Sequence, residues 1–515
     1  MSNDYKRKIK TKEELLDIIG ERPFPSGRIG QQMKTIMCHG TFDLVHPGHI
    51  RHLMYAKSKA DILIVSLTGD AFIDKANYRP FVPSELRAMN LAALEVVDYV
   101  ITDDSPTPIE NIKFLKPDYF AKGFEYLNSN NIKIQEEREA VQSYNGEIIF
   151  TPGDLTYSSS EIIEQSPPNL SHEKLGTLMD AHHITWNELE DALDSFHNIK
   201  VHVLGDTIID TYIYCNTISS GMSKTPTISV SQQYKRDFIG GAAIVAKHIK
   251  HAGGDVTFST VLGIGKLSQL VRENLLQDDI TLLANVDSSR PTTQKSVYIA
   301  DKHRLLKVDK LDNHPISKNI IQSLKQILEY KDFNACVFSD FRHGIFNQET
   351  IPEFINSISK DTFKVVDSQV ASRWGNILDF KMFDLITPNE REARFALADQ
   401  DSVIRPLALE LYKQAQCKTL IMKLGDKGIL TYCAPSNSSG SFFSVDSFCE
   451  NLVDPIGAGD ALLAYSTLSM VATQSPVIAS ILGSFAAGVA CEIEGNNPVT
   501  PEAVINKLER VEKSL

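Results

Sequence analysis

The sequence predicts an α/β protein built from two domains, the second carrying a β lid. Three observations carry that expectation. A chain of 515 residues is too long for one hydrophobic core of ordinary size. Short apolar runs alternate with amphipathic ones in two separate series, and each series implies a mostly parallel sheet covered by helices. Between the series stand Pro167 and Pro168, where a helix cannot continue.

The first series begins at Lys34. "KTIMCHG", "DILIVSLTG", "VDYVITDD", "PDYFAKG" and "GEIIFTPG" read as strands; "HIRHLMYAKSKA", "SELRAMNLAALEV" and "IQEEREAVQSYN" read as helices. It closes near "SSSEIIEQSPPNL". The expected boundaries are an N-terminal extension over 1–33, a first domain over 34–165, a linker over 166–198 that includes a polar helical stretch "TWNELEDALDSF", and a second domain over 199–515. The second series runs from "KVHVLGD" through "DVTFSTVLG", "ACVFSD", "FKVVDSQ", "DLITPN" and "TLIMKLG". Inside it, "TPTISVSQQYKRDF" and "TTQKSVYIADKHRLLKVDKL" alternate like antiparallel strands added beside the main sheet.

Composition excludes some classes of function. The net charge of -13 argues against a binder of nucleic-acid backbone, which carries a basic stripe; a local phosphate site remains open. No apolar run is long enough for a bilayer, and "MSNDYKRKIKTKEELLDIIG" has no signal-peptide apolar core. The seven cysteines form no CxxC pair, which suits reduced thiols in a cytoplasmic protein.

Chemistry concentrates in two places. In the first domain, "HGTFDLVHPGHIRHL" puts His46 and His49 between a strand ending at Gly40 and a helix. Such a pair could ligate zinc, but no third ligand stands out. At the carboxyl end of a parallel strand, where the next helix offers free N–H groups, imidazoles can instead donate to phosphate oxygens. In the second domain, "DPIGAGDALLA" sets Gly457, Ala458 and Gly459 in a tight turn suited to an anion hole. Asp460 follows at the helix start, positioned to take a proton from an attacking hydroxyl; its bland role would be a helix cap.

The first domain resembles the cytidylyltransferase-like nucleotidyltransferases, which have a Rossmann-like fold. The HxGH signature is His46-Pro47-Gly48-His49, approached by Gly40 to Asp43, and "YSSSEII" matches the ISSTxI-type second signature. The resemblance implies transfer of a nucleoside monophosphate onto a phosphate monoester, with release of pyrophosphate. It implies Gly40, Thr41, Phe42, Ser158, Ser159 and Ser160 at the nucleotide, and Lys57 and Lys122 near the reacting phosphates. Glycerol-phosphate cytidylyltransferases carry an Arg before the second signature, and "TPGDLTYSSS" has none. "YRPFVPSELRAMNLAALEVVDYV" and "KPDYFAKGFEY" look like the adenylyltransferase half of the bifunctional heptose-phosphate enzymes of lipopolysaccharide synthesis.

The second domain resembles the ribokinase-like (PfkB) carbohydrate kinases over roughly Ile199 to Leu508. "RDFIGGAAIVAKHIKHAGG", "GDTIID" and "TPNEREA" carry the resemblance beside the GAGD turn. It implies Asp460 as base, Asn389 and Glu392 organising Mg²⁺ through water, and Gly425, Gly457, Ala458 and Gly459 at the nucleotide. Asp206, Asp210, Gly240, Gly241 and Lys307 would hold the sugar under the lid. "VLGDTIIDTYIYC" and "TTQKSVYIADKHRLLKVD" again look like heptose-phosphate kinase. Two departures stand out. Ile244 occupies the position where the family usually has Asn, and the domain order is the reverse of the familiar bifunctional enzyme.

Together the resemblances imply a bifunctional sugar-activating enzyme using ATP and Mg²⁺. It would phosphorylate D-glycero-D-manno-heptose 7-phosphate at the anomeric hydroxyl and form ADP-heptose from heptose 1-phosphate. Expected partners are small molecules, with no nucleic acid and no membrane, and a homodimer through the kinase lid. The alternatives are the same two activities on another sugar or polyol phosphate with CTP, or a sensor that binds nucleotide without turnover.

Overall fold

A computed structural model describes residues 4–20, 33–73, 80–123, 132–151, 171–218, 228–300, 303–330, 332–369, 376–434 and 440–513. The chain divides into two compact units, Met1–Thr177 and Leu178–Leu515.

The first unit contains α1 (Lys12–Gly20), β1 (Thr35–Gly40), α2 (Pro47–Lys57), β2 (Ile62–Thr68), α3 (Ser84–Ala92), β3 (Tyr99–Asp103), α4 (Ile109–Leu115), β4 (Tyr119–Gly123), α5 (Ile132–Gln142) and β5 (Glu147–Thr151). Its strands are all parallel, in the order β3-β2-β1-β4-β5. Successive side chains of a strand point to opposite faces. Ile36 and Cys38 therefore pack with Leu53 and Ala56 of α2 and Ala88 and Leu91 of α3. Met37 and Phe120 face the other way, onto Ile112 and Leu115 of α4 and Val141 of α5. The sequence treats residues 1–33 as an extension, but Leu15 and Ile19 of α1 are buried in that second layer. The helix belongs to the core because the outer side of this face would otherwise be left wet.

Helix α6 (Ser171–Ala181) spans the division between the units. Helix α7 (Trp186–Asp194) starts with a capping box of Thr185 and Glu188. It buries Leu189, Ala192 and Leu193, and Phe196 behind it meets the Tyr465 ring edge-on at 6.0 Å. The stretch expected as linker is thus partly core of the second unit, because its apolar residues recur at helical spacing.

The rest of the second unit runs β6 (Lys200–Gly205), β7 (Thr207–Thr217), β8 (Val230–Gly241), α8 (Ala242–His251), β9 (Asp255–Leu262), α9 (Lys266–Gln277), β10 (Thr281–Val286), β11 (Thr293–Ala300), β12 (His303–Lys310), α10 (Lys318–Tyr330), β13 (Ala335–Asp340), α11 (Thr350–Ser357), β14 (Phe363–Ser368) and β15 (Leu385–Ile386). It continues with α12 (Glu390–Leu397), α13 (Ile404–Ala415), β16 (Thr419–Lys423), β17 (Ile429–Cys433), β18 (Ser441–Val445), α14 (Ala458–Thr473), α15 (Pro476–Cys491) and α16 (Pro501–Glu512). The main sheet has the order β10-β9-β6-β13-β14-β15-β16-β17-β18, parallel as far as β16 and antiparallel from β16 to β18. A separate four-stranded sheet, β12-β11-β7-β8, forms the lid. The expected lid segments supply β8, β11 and β12. The sequence did not indicate that β7 leaves the main sheet to join them, nor that β7 and β11 pair in parallel. That exit occurs at Gly205, where a β-carbon would lie 2.1 Å from the Ser339 carbonyl.

Helices α14 and α15 are buried along most of their length. Among the described residues no helix is long and apolar enough to cross a membrane.

Candidate functional site

Each unit carries its own site. In the first, strand order reverses between β1 and β4, and the crevice of such a sheet lies beyond the carboxyl ends of those strands. His46 caps α2 there. Its extended backbone (φ -129°, ψ 169°) and Pro47 at the first turn start the helix. Its Nδ1 accepts from the Gly48 N–H at 3.1 Å, so the ring proton sits on Nε2 as a donor. Burial holds this imidazole below its usual pKa, so it donates as a neutral ring. The His46 and His49 rings stack at 3.9 Å, and Phe42 tilts against His49 at 4.9 Å. Gly48 is required by crowding, since a β-carbon would come within 2.9 Å of the His46 ring.

The residues leading into this turn are held from below. Asp43 is buried and accepts from the N–H groups of Phe81 and Val82 at 3.0 and 2.8 Å. Arg87, fully buried, donates to the carbonyls of Thr41, Thr68 and Val82 and pairs with Asp70. It ties the loops after β1 and β2 together. Sequence reasoning missed it, because an arginine in "SELRAMNLAALEV" looks like a solvated helix residue. Phe42 sits at φ 47°, uncommon for a bulky residue, with its ring 3.1 Å from where a Gly40 β-carbon would be.

The two lysines separate. Lys122 lies at the carboxyl end of β4, beside β1, where its ammonium pairs with Glu137 of α5 at 2.7 Å. Lys57 is a correction. It ends α2, roughly 16 Å along the helix from His46 at 1.5 Å per residue. There it donates to the Asp61 carbonyl at 2.6 Å and to Asp98, both just ahead of strand starts. That is the amino edge of the sheet, so Lys57 fastens the scaffold and does not face the reacting phosphates. Ser158, Ser159 and Ser160 lie outside the described residues.

In the second unit, Gly457 caps α14 at φ 86° and puts Asp460 in the first turn. The Asp460 carboxyl is partly exposed and pushed up to about 8. Loss of water is the main cause and the Asp367 carboxylate adds to it; Lys423 and Lys295 pull the other way. Lys423 donates to Asp367 Oδ1 at 2.6 Å. Asn389 and Glu392 cap α12 reciprocally, each side chain accepting from the other's N–H at 2.8 and 2.7 Å. Burial raises the Glu392 carboxyl to about 7, against the pull of Lys423. Among the described residues no three His, Cys, Asp or Glu side chains converge closely enough to hold a metal ion directly.

Of the expected sugar residues, Asp210 on β7, Gly240 and Gly241 on β8 and exposed Lys307 on β12 belong to the lid sheet itself, and Asp206 stands between β6 and β7. Asp210 of β7 accepts from Asn496 Nδ2 at 2.7 Å, and burial raises its pKa against the pull of Lys295 and Lys307. Burial, then the Lys307 charge, lowers Lys295 on β11. Asp206 commits Oδ2 to the N–H groups of Phe341 and His343 at 3.0 and 3.1 Å, so it also shapes the turn after β13. Gly240 lets the carboxylate in: a β-carbon there would lie 2.3 Å from Asp210 Oδ2. Gly241, at φ 65°, would place one 2.3 Å from the Asp206 carbonyl. Ile244 is fully buried in α8 and offers no polar group.

Three residues tie these pieces together without having been singled out in the sequence. Asn496 runs between the two glycine motifs, its Nδ2 on Asp210 and its Oδ1 2.6 Å from where a Gly457 β-carbon would be. Asp454 accepts from Tyr212 Oη at 2.6 Å and Arg304 at 2.9 Å, both on lid strands, and from the Ile456 N–H at 3.2 Å. Lys423 could have been flagged by its place at a strand's carboxyl end, and Asp454 by opening the quoted "DPIGAGDALLA"; Asn496 gave no signal. Gly425, at φ 64°, opens the turn after β16. Beside it is a cavity of about 1370 Å³ whose walls include Arg342, Asn389, Arg391, Arg394, Lys423 and Gly425.

Comparison with known proteins fits this division. The pfkB family carbohydrate kinase model matches residues 198–503, more than half of the chain. A cytidylyltransferase-like model matches residues 37–165. Among curated proteins, bifunctional protein HldE of Campylobacter jejuni subsp. doylei is 42% identical over 125 residues, 24% of this chain and 25% of that protein. Bifunctional protein HldE of Helicobacter pylori is 43% identical over 136 residues, 26% of this chain and 28% of that protein. The match thus spans only about a quarter of the length of these curated relatives. Among solved structures, phosphofructokinase-2 from Escherichia coli in complex with substrates and products aligns over 61% of this chain and 99% of its own, with a TM-score of 0.51. At 17% identity that likeness concerns the fold alone.

Proposed function

The chain belongs to the pfkB family of carbohydrate kinases, and from that premise we propose that it is a bifunctional enzyme that phosphorylates a sugar and joins a sugar phosphate to a nucleotide. The favoured substrate is D-glycero-D-manno-heptose 7-phosphate, phosphorylated at the anomeric hydroxyl; the favoured second product is ADP-heptose, formed from heptose 1-phosphate and ATP. The observation that carries the kinase half is Asp460, a carboxylate at the start of α14 behind the Gly457 turn and near Asp210 and Lys295. The transferase half is supported by the His46–His49 pair at the head of α2 and by the matches to bifunctional HldE proteins. The heptose assignment rests on the resemblance of the sequence stretches quoted above.

In the kinase, Asp460 would take the proton of the sugar hydroxyl, and the Gly457–Gly459 turn would receive the charge of the phosphoryl group. In the transferase, no covalent enzyme intermediate is needed. Alignment of the attacking phosphate, and donation from His46 and His49 to the leaving pyrophosphate, are what the site supplies. Mg²⁺ fits the donor set of the kinase. Glu392, with Asn389 beside it in the cap of α12, offers a carboxylate pushed up by burial and by the nearby Asp367 carboxylate against the pull of Lys423, and Mg²⁺ is often held by one or two carboxylates while keeping several waters. Bound there, it would neutralise the nucleotide phosphates.

A second reading, the same two activities on another sugar or polyol phosphate with CTP, has one observation behind its sugar, buried Ile244 where the family usually has Asn, and none behind CTP. Either way, a cytoplasmic homodimer is expected. Strand β12 is the free edge of the lid, exposed along its length, with Leu306 at 59% and Val308 at 45% exposure. A screen of sugar phosphates against all four nucleoside triphosphates, read by mass, tests the proposal. Products carrying a sugar other than heptose would transfer it to the second reading. No product with any pair would leave a nucleotide-binding sensor.

A further inference from the structure

Lys423 is the last residue of β16, at the carboxyl edge of the main sheet. Its N–H donates to the Pro388 carbonyl at 2.8 Å, and it bridges to Asn389, so its backbone is fixed against the start of α12. The ammonium donates to Asp367 Oδ1, and the Thr387 hydroxyl donates to the same oxygen at 2.9 Å. A β-carbon on Gly459 would lie 3.5 Å from this ammonium. The charge therefore stands against the GAGD turn, and the residue also lines the large cavity beside Gly425. Stability alone is a weak reason for such a pair, since apolar residues of similar volume often replace buried ion pairs without loss. A compact ammonium on a strand end, facing a turn of backbone N–H groups and an open cavity, suits phosphate.

We propose that Lys423 contacts the transferred phosphoryl group, its ammonium lying between Asp367 and the γ-phosphate of ATP. This rests on the kinase reading above. In the step, the sugar hydroxyl oxygen forms a bond to the γ-phosphorus while the bond from that phosphorus to the β,γ-bridging oxygen breaks. The electron pair leaves with ADP, and the hydroxyl proton goes to Asp460. Lys423 keeps its proton throughout. Its contribution is a charge already aimed at the migrating group, with Asp367 setting its direction.

The test compares wild type with Lys423→Gln, which can still donate a hydrogen bond to Asp367 but carries no charge. ADP release is measured with heptose 7-phosphate, and calorimetry measures binding of Mg²⁺-ADP and of the Mg²⁺ complex of the β,γ-imido analogue of ATP. Turnover should fall about 10²–10³-fold, as on losing one charge-stabilising donor. Affinity for the imido analogue should fall about tenfold while that for ADP stays within about twofold, because only the former carries the third phosphate. Near-normal turnover, or equal loss of both affinities, would reduce Lys423 to a structural partner of Asp367. If Lys423→Gln does not fold, the double variant with Asp367→Asn removes the stranded carboxylate and carries the same affinity comparison. Wild type that releases no ADP with any sugar phosphate sinks the kinase reading; wild-type turnover matched by the Gln variant sinks only the role of Lys423.

Discussion

Replacing Asp460 by Asn should cripple the kinase and stabilise the fold, a combination that a simple helix cap would not produce. The substitution keeps size and a possible hydrogen bond but removes basicity. Loss of a positioned base should lower turnover by about 10²–10⁴-fold. For stability, the carboxyl moves from an ordinary 3.8 to about 8 on folding. A folded pKa raised in this way favours the fold below the unfolded value, and that advantage is lost as pH rises through about 8. At 1.36 kcal/mol per pKa unit the ceiling is roughly 6 kcal/mol, and solvent at a partly exposed group screens it to an expected 1–3 kcal/mol, about. Asp460→Asn should therefore melt with wild type near pH 4 and a few degrees above it at pH 9. ADP-release assays and melting curves at pH 4, 7 and 9 check both arms. The wild-type kinase rate should climb with pH through about 8 as the base deprotonates. A variant that turns over within tenfold of wild type, or melts lower at pH 9, would refute the reasoning.

His46→Ala and His49→Ala should each nearly abolish pyrophosphate release while sugar-dependent ADP release continues, measured on the same preparations. Gly48→Ala should do similar damage without touching a histidine, because its methyl would sit 2.9 Å from the His46 ring; pyrophosphate release above half of wild type would count against that geometry. Chelation of Mg²⁺ should stop both activities and a zinc-selective chelator neither, checked by metal analysis of the purified protein. A kinase fragment starting at Ile199 should be far less stable than one starting at Ser171, since it lacks buried Leu189, Leu193 and Phe196, each worth about 1.5–3 kcal/mol; chemical denaturation of the two fragments decides it.

The sheets were readable because strand-helix alternation is a local signal, and the parallel order follows from it. Residues such as Leu15 and Leu193 were harder to place. Their helices look like an extension and a linker until the surface they cover is known. Motif residues were legible where backbone demands one residue type, as at Gly48, Gly241 and Gly457. Lys57 misled because the resemblance places it at the reacting phosphates, whereas α2 carries it to the opposite edge of the sheet from His46. Arg87 and Asn496 were invisible for the converse reason. Their partners, Thr41 and Asp70 for one and Asp210 for the other, lie far off in sequence and meet only in the fold.

The Asp454 clasp has a consequence for idle hydrolysis. One carboxylate takes Tyr212 and Arg304 from the lid and the Ile456 N–H from the run into the GAGD turn. Swinging the lid away strips two hydrogen bonds from the residue that shapes that turn, so the anion hole and the cover over the sugar cannot vary independently. An uncovered site is also the one that water enters. Under the kinase reading proposed above, that link would make the arrangement best able to transfer a phosphoryl group the one in which the lid strands still hold Asp454 and keep water from the covered sugar.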